Sequence, residues 1–176
     1  MNLKQFIVDS INQSALQVFS TMLGVELASG TATFEDAKPD INCEVISLIG
    51  LAGSWAGSGS LSCSAAFACR VCANMLMTEA TAVNEEVLDA MAELTNMIVG
   101  NVKTELESKL GPLGLSIPTV VYGRNFKTKT AGPTDWISIR FDWDGDHLLV
   151  KLCLAPQDKD AHHRIDLFDE AATLAV

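Results

Sequence analysis

A chain of 176 residues with a formal charge of -10, 12 lysines and arginines against 22 acids, lacks the clustered positive charge that holds nucleic-acid phosphates or an anionic membrane. At 48% apolar and 19% charged, its composition is globular. Its length suits one domain that buries roughly 70% of the surface of its unfolded chain, with no disulfide or metal required. No apolar run approaches the roughly 20 residues that span a bilayer, and the N-terminal stretch meets Asp9 too early for a secretory signal, so a cytoplasmic location is expected.

Phe6, Ile7, Ile11, Ala15, Val18, Phe19 and Met22 recur at helical spacing and predict a first helix that closes near Gly24. From Val25 to Ala65 the pattern turns to β-rich stretches broken by glycine, including Glu44 to Leu51 and Gly57 to Cys63, which predict two or three antiparallel strands. Ser64 is placed to cap a shorter helix through Met77. Thr81 or Asn84 opens a long helix that runs to about Leu110, where Gly111-Pro112 stops it. Ile117 to Tyr122, Trp136 to Phe141 and Leu148 to Leu154 then read as strands. The order of helix, strands, helix, helix, strands implies an α+β fold built from two similar halves. A domain over residues 1–155 is expected, with 156–176 a tail or a short docking helix.

Five cysteines, an odd number in apolar or small-residue surroundings, read as reduced buried thiols. Cys69 and Cys72 form a C-x-x-C in mid-helix, away from the helix N-terminus that lowers a redox thiol's pKa and without the second ligand pair a zinc site needs. Asp142-Trp-Asp-Gly-Asp-His lacks the twelve-residue ligand spacing of a calcium loop, so Asp144-Gly145 reads as a hairpin turn. The glycines between Gly50 and Gly59 lack the Gly-Lys-Ser/Thr ending of a phosphate loop and suit close strand packing or a hairpin. His162 and His163, with no ligand set around them, read as solvated, and no nucleophile and base pair can be assembled for covalent catalysis.

Chemistry can be argued from spacing in one place, the long helix. At 100° per residue, Glu93 lies about 40° from Asp89 and Asn96 about 20° to its other side, so the three share one face over about 10 Å of axis. Leu88, Met91, Ile98, Val99, Val102 and Leu106 fall opposite, where the core is expected. Gly100 is placed one turn beyond Asn96 on the exposed face, although glycine in a helix interior costs roughly 1 kcal/mol relative to alanine. Most acidic helix faces are simply solvated. Gly100, Asn101 and the apolar Met97 on the flank shift the reading toward a docking surface.

The spacing Asp89, three residues, Glu93, two residues, Asn96 resembles the motif of the CheC/CheX/FliY phosphatases of bacterial chemotaxis. Asn96-Met-Ile-Val-Gly-Asn-Val-Lys103 is similar to that family's central helix, and Ile11-Asn12 through Glu26 resembles the opening helix of its CheX branch. Gly57-Ser-Gly-Ser-Leu-Ser with Ala66 to Leu76 is similar to its hairpin strand and short helix. The likeness covers residue 2 to about 154, and helix 1 lacks a Glu-x-x-Asn, which implies the single-site CheX form.

The resemblance implies two long helices packed on an antiparallel sheet, and a homodimer formed through strands. It also implies hydrolysis of the phospho-aspartate on a CheY-like receiver domain. Asn96 would orient the attacking water, Glu93 would pair with the receiver's lysine, and Asp89, Met97 and Gly100 would contact the partner. No cofactor is expected on this chain, and the magnesium would belong to the receiver. The alternative is a non-catalytic adaptor of the same fold that binds a receiver or a flagellar-switch component.

Overall fold

The computed structural model describes residues 2–34, 43–124 and 135–157. Helix α1 (Leu3–Val18) begins where Asn2 Oδ1 accepts the Lys4 N–H, and it buries Ile7, Val8, Ile11, Ala15 and Val18. One π turn (Phe19–Leu23) prolongs it, and Gly24 ends it in the left-handed region at φ 67°. The Val25 N–H then donates to the Phe19 carbonyl at 3.1 Å, closing the terminus. Helix α2 (Ala65–Leu76) starts at Ser64, whose hydroxyl accepts the Phe67 N–H at 3.0 Å, and Met77 ends it in a left-handed conformation. Of the two candidates for opening α3 (Glu85–Leu110), Asn84 is the cap, with Oδ1 accepting the Val87 N–H at 3.0 Å. Gly111 ends that helix at φ 79°, as the Gly-Pro pair predicts.

The strands are β1 (Ala28–Ser29), β2 (Val45–Gly53), β3 (Trp55–Cys63), β4 (Leu113–Leu115), β5 (Thr119–Tyr122), β6 (Ile137–Trp143) and β7 (Asp146–Pro156). All pair antiparallel, in the order β1-β6-β7-β3-β2-β4, with β5 also on β2. The expected strand from Ile117 to Tyr122 is the shorter β5, and the unexpected β4 precedes it on the same edge of β2, with a break between the two. Ser116 pins the break: its N–H donates to the Gly50 carbonyl at 2.9 Å and its hydroxyl accepts the Gly50 N–H at 2.8 Å. Pro118 follows with no N–H to offer the ladder.

Both turn readings hold. The β2–β3 hairpin turns at Gly53 and Ser54, inside the glycine-rich stretch. The β6–β7 hairpin turns at Asp144 and Gly145, with φ of 50° and 77°, the two positive values a tight two-residue turn of matching twist requires.

The two halves become visible in the sheet. Hairpins β2–β3 and β6–β7 join through β3 and β7, and the strand after each long helix crosses to the other half's hairpin. β1, after α1, lies on β6; β4 and β5, after α3, lie on β2. This reciprocal exchange is the pseudo-two-fold arrangement.

Alternation along the strands sends Val45, Ile49 and Leu51, Leu61 and Cys63, Ile137, Ile139 and Phe141, and Leu148, Val150 and Leu152 into the core shared with α1 and α3. At Gly59 a Cβ would come within 3.3 Å of both Val99 Cγ2 and Ile49 Cγ2, so this glycine sets how closely α3 seats on β3. Helix α2 is held at the second hairpin by an aromatic triad, Phe19, Phe67 and Trp143, with centroids 5.5 to 6.2 Å apart. Arg70 lies 4.9 Å over the Trp143 ring and pairs with Asp144 at 3.2 Å and Asp146 at 3.4 Å.

Cys69 and Cys72 are buried in mid-α2, as expected; Cys63 and Cys153 are also buried and Cys43 is half-buried. Burial pushes the thiol pKa values of Cys63, Cys69, Cys72 and Cys153 upward, away from reactive thiolate. His162, His163 and the tail beyond residue 157 lie outside the described residues. Among those described, no helix is long and apolar enough to cross a membrane.

Candidate functional site

Helix α3 is gripped along one side and open along the other. Val87, Ala90, Met91, Leu94, Thr95, Ile98, Val99, Val102, Leu106 and Leu110 are buried. Asp89, Glu93 and Asn96 are exposed on the opposite side, in the line their spacing predicts. No other described residue forms a hydrogen bond or ion pair with the side chain of Glu93 or Asn96. A carboxylate and an amide one turn apart are therefore presented to solvent on a helix whose other side is packed into the core. The first turn adds Glu85 and Glu86, whose charges suit the helix N-terminus, so this half of the surface is acidic.

The flank differs from the expectation. Met97 is half-buried and packs against the core, and Gly100 is half-buried rather than exposed. The helix is not straight-sided toward solvent here because β4 rises against it. A Cβ at position 100 would lie 3.9 Å from Leu115 Cδ1, which is ordinary contact. The fold thus has room for a methyl group, and nothing among the described residues demands glycine. Asn101 is exposed beyond it.

Helix α1 is the counterpart of α3 in the repeat. It has no Glu-x-x-Asn, but Asp9 and Asn12 stand at the same spacing, a signal the sequence reading passed over. The structure shows both occupied within the chain. Asp9 accepts a hydrogen bond from Gln5 Nε2 at 2.9 Å, and the half-buried Asn12 accepts one from the Ser29 hydroxyl. Among the described helices, only α3 presents a free pair of this kind. Among the described residues, no three His, Cys, Asp or Glu side chains group as a metal ion would need.

The other residues missed from sequence are hydroxyls on the core side. Thr95, beside Asn96, is fully buried and donates to the Met91 carbonyl at 2.7 Å. Ser14 of α1 is buried and donates to the Ile98 carbonyl of α3 at 2.8 Å. A small polar residue in an apolar stripe was the available signal, but which carbonyl it meets is decided by the helix crossing.

A family model for the chemotaxis phosphatase CheX matches residues 45–142, which includes all of α2 and α3. The chain belongs to the CheX family. The CheY-P phosphatase CheX of Thermotoga maritima is 30% identical over 127 residues, covering 72% of this chain and 81% of the relative. The structure of the chemotaxis protein CheX of Vibrio vulnificus aligns with a TM-score of 0.75 at 26% identity, covering 85% of this chain and 99% of the other. The CheX of Borrelia burgdorferi, solved as a CheX-CheY-BeF3-Mg+2 complex, aligns with a TM-score of 0.71 at 25% identity over 84% of this chain and 97% of that one. The α+β architecture with its antiparallel sheet is that of the CheC-like superfamily.

Proposed function

We propose that this CheX-family chain hydrolyses the phospho-aspartate of a CheY-like receiver domain, with Asn96 positioning the attacking water. The observation that carries the reading is the free Glu93 and Asn96 pair, exposed on α3 opposite a side that is buried along its length. The family supports it, since one relative is a CheY-P phosphatase and another was solved with CheY. In that complex, beryllium trifluoride is chemically a mimic of a phosphoryl group.

The residue types suit the reaction. Phosphoryl transfer through a loose transition state needs placement more than covalent chemistry. The water oxygen bonds to phosphorus as the bond from phosphorus to the aspartyl oxygen breaks, releasing phosphate and a free carboxylate. The Asn96 amide accepts from that water through its oxygen and donates through its nitrogen, holding the nucleophile in line without taking its proton. A hundredfold acceleration corresponds to about 2.7 kcal/mol, within reach of one preorganised contact.

Glu93, one turn earlier, pairs with the receiver's lysine and fixes the register of the two proteins. Asp89 contacts the rim, Met97 adds apolar area, and Gly100 lets the partner's backbone come close. Magnesium bound by the receiver offsets the phosphate charge, and this chain carries no cofactor. The protein acts in the cytoplasm, where receivers are found. It forms a homodimer through its sheet edge, where β5, among the described strands, pairs only with β2 and exposes Val121 and Tyr122. Light scattering that returns a monomer at all working concentrations refutes the dimer.

The deciding experiment follows phosphate release from a phosphorylated receiver with and without the purified chain. Faster release supports the phosphatase. Binding with an unchanged decay rate establishes the adaptor instead, and failure to bind any receiver removes both.

A further inference from the structure

We propose that Ser14 is a positioning residue for this site: its hydroxyl, reaching from α1 to the Ile98 carbonyl, sets the rotation of α3 and so the place of the Asn96 amide. The inference rests on the phosphatase reading above.

The contact is a buried 2.8 Å hydrogen bond between two helices that otherwise meet through apolar and small side chains and, at the far end of α3, through the Lys109 ammonium 4.4 Å over the Phe6 ring. Apolar packing is tolerant of small rotations, because dispersion has no direction. A hydrogen bond has one. Ile98 lies two residues after Asn96, so its carbonyl belongs to the turn that follows the amide. That oxygen already serves the helix's own ladder and has a second lone pair for Ser14.

The Thr95 hydroxyl on the Met91 carbonyl stays within α3 and cannot set the helix against its neighbour. Among the described residues, the Ser14 hydroxyl makes the one side-chain hydrogen bond that joins α1 to α3.

The lever arm makes this matter. A helix side chain ends about 5 to 6 Å from the axis, so a rotation of about 10° moves its tip by about 1 Å. Misplacement of about 1 Å in a positioned reaction is worth up to about a hundredfold in rate. Affinity for the receiver responds far less, because the rest of the docking surface tolerates such a shift.

Ser10, one turn earlier on α1, supplies the control. It is as buried as Ser14, yet its hydroxyl has no hydrogen-bond partner. Ser10→Ala and Ser14→Ala therefore remove the same atom from the same face of the same helix, and only the second breaks the link.

The test measures kcat and KM for phospho-receiver hydrolysis by the full chain and both variants, with thermal melts alongside. Ser14→Ala is expected to lower kcat about tenfold with KM within about twofold, while Ser10→Ala keeps both. If Ser14→Ala does not fold, Ser14→Cys, similar in volume with a weak donor, is read the same way. Full kcat in the Ser14 variant, or equal losses in both variants, overturns the proposal. A wild type that binds but does not hydrolyse overturns the phosphatase reading itself, a result separate from either.

Discussion

Truncating Asn96 separates catalysis from folding more cleanly than any other change in the molecule. Its side chain is exposed and engages no described residue, so Asn96→Ala removes no contact that holds the fold. Position 96 lies deep inside the 26-residue α3, where alanine is a better helix former than asparagine by about 0.5 kcal/mol. For a chain of this size that gain corresponds to a melting temperature about 1 to 2 °C higher. The same change deletes the acceptor and the donor proposed to hold the water. Loss of the whole hundredfold effect, about 2.7 kcal/mol of barrier, returns the receiver to its own decay rate. The variant is thus expected to be slightly more stable than wild type and inactive. The assay is phosphate release from a phosphorylated receiver, with binding followed by fluorescence anisotropy and stability by calorimetry. Asn96→Asp keeps the shape but brings a negative charge toward the phosphoryl group, and is expected to be as inactive and to bind more weakly. An Asn96→Ala enzyme within threefold of wild-type activity would refute water positioning by this residue.

Gly100→Ala is expected to raise stability by about 1 kcal/mol, since a Cβ there meets only Leu115 Cδ1 at 3.9 Å, and to raise KM at unchanged kcat because the methyl group would stand where the partner is proposed to approach; titration of rate against receiver concentration checks it. Glu107 accepts the Leu113 N–H at 3.0 Å and lies 2.9 Å from Lys103 Nζ, which together hold its carboxyl below the ordinary 4.5. Its contribution is present above pH 4.5 and is lost as pH falls through the lower folded value, so in acid denaturation Glu107→Gln should be less sensitive to pH than wild type in that window. The four buried thiols, raised above the ordinary 9.0 chiefly by burial, stay protonated in the fold after they ionise in the unfolded chain. The contribution of these thiols to stability should therefore be flat below pH 9.0 and decline above it, and a replacement of Cys72 by alanine should blunt that decline in a denaturant titration at stepped pH. Glu93→Gln keeps the shape and removes the charge proposed to meet the receiver's lysine; KM should rise and its dependence on salt weaken, and an unchanged salt dependence would place that lysine elsewhere.

Much of the fold was legible because local chemistry decides it. Ser64 and Asn84 cap helices since their side chains reach an N–H three residues on, and Asp144-Gly145 turns since both adopt positive φ. The stripe of Asp89, Glu93 and Asn96 was equally legible, being set by helical period and by apolar residues on the opposite side. The break between β4 and β5 was not, because it depends on Ser116 meeting Gly50, 66 residues away in sequence. Gly100 was assigned to the exposed side by period alone, but Leu115 of β4 lies beside it and it is half-buried; Met97, placed on the flank, is half-buried there.

The sequence by itself determined which elements form, where they stop, and which three polar side chains share a line on α3, all consequences of interactions within a few residues of chain. Only the tertiary structure decided that the strand after each long helix crosses to the other half, that Asp9 and Asn12 on α1 are engaged by Gln5 and Ser29 while Glu93 and Asn96 are free, and that Ser14 reaches Ile98. Those outcomes depend on which surfaces meet once the apolar faces are buried, and the hydrogen bonds that discriminate between two similar helices are directional contacts between residues far apart in the chain.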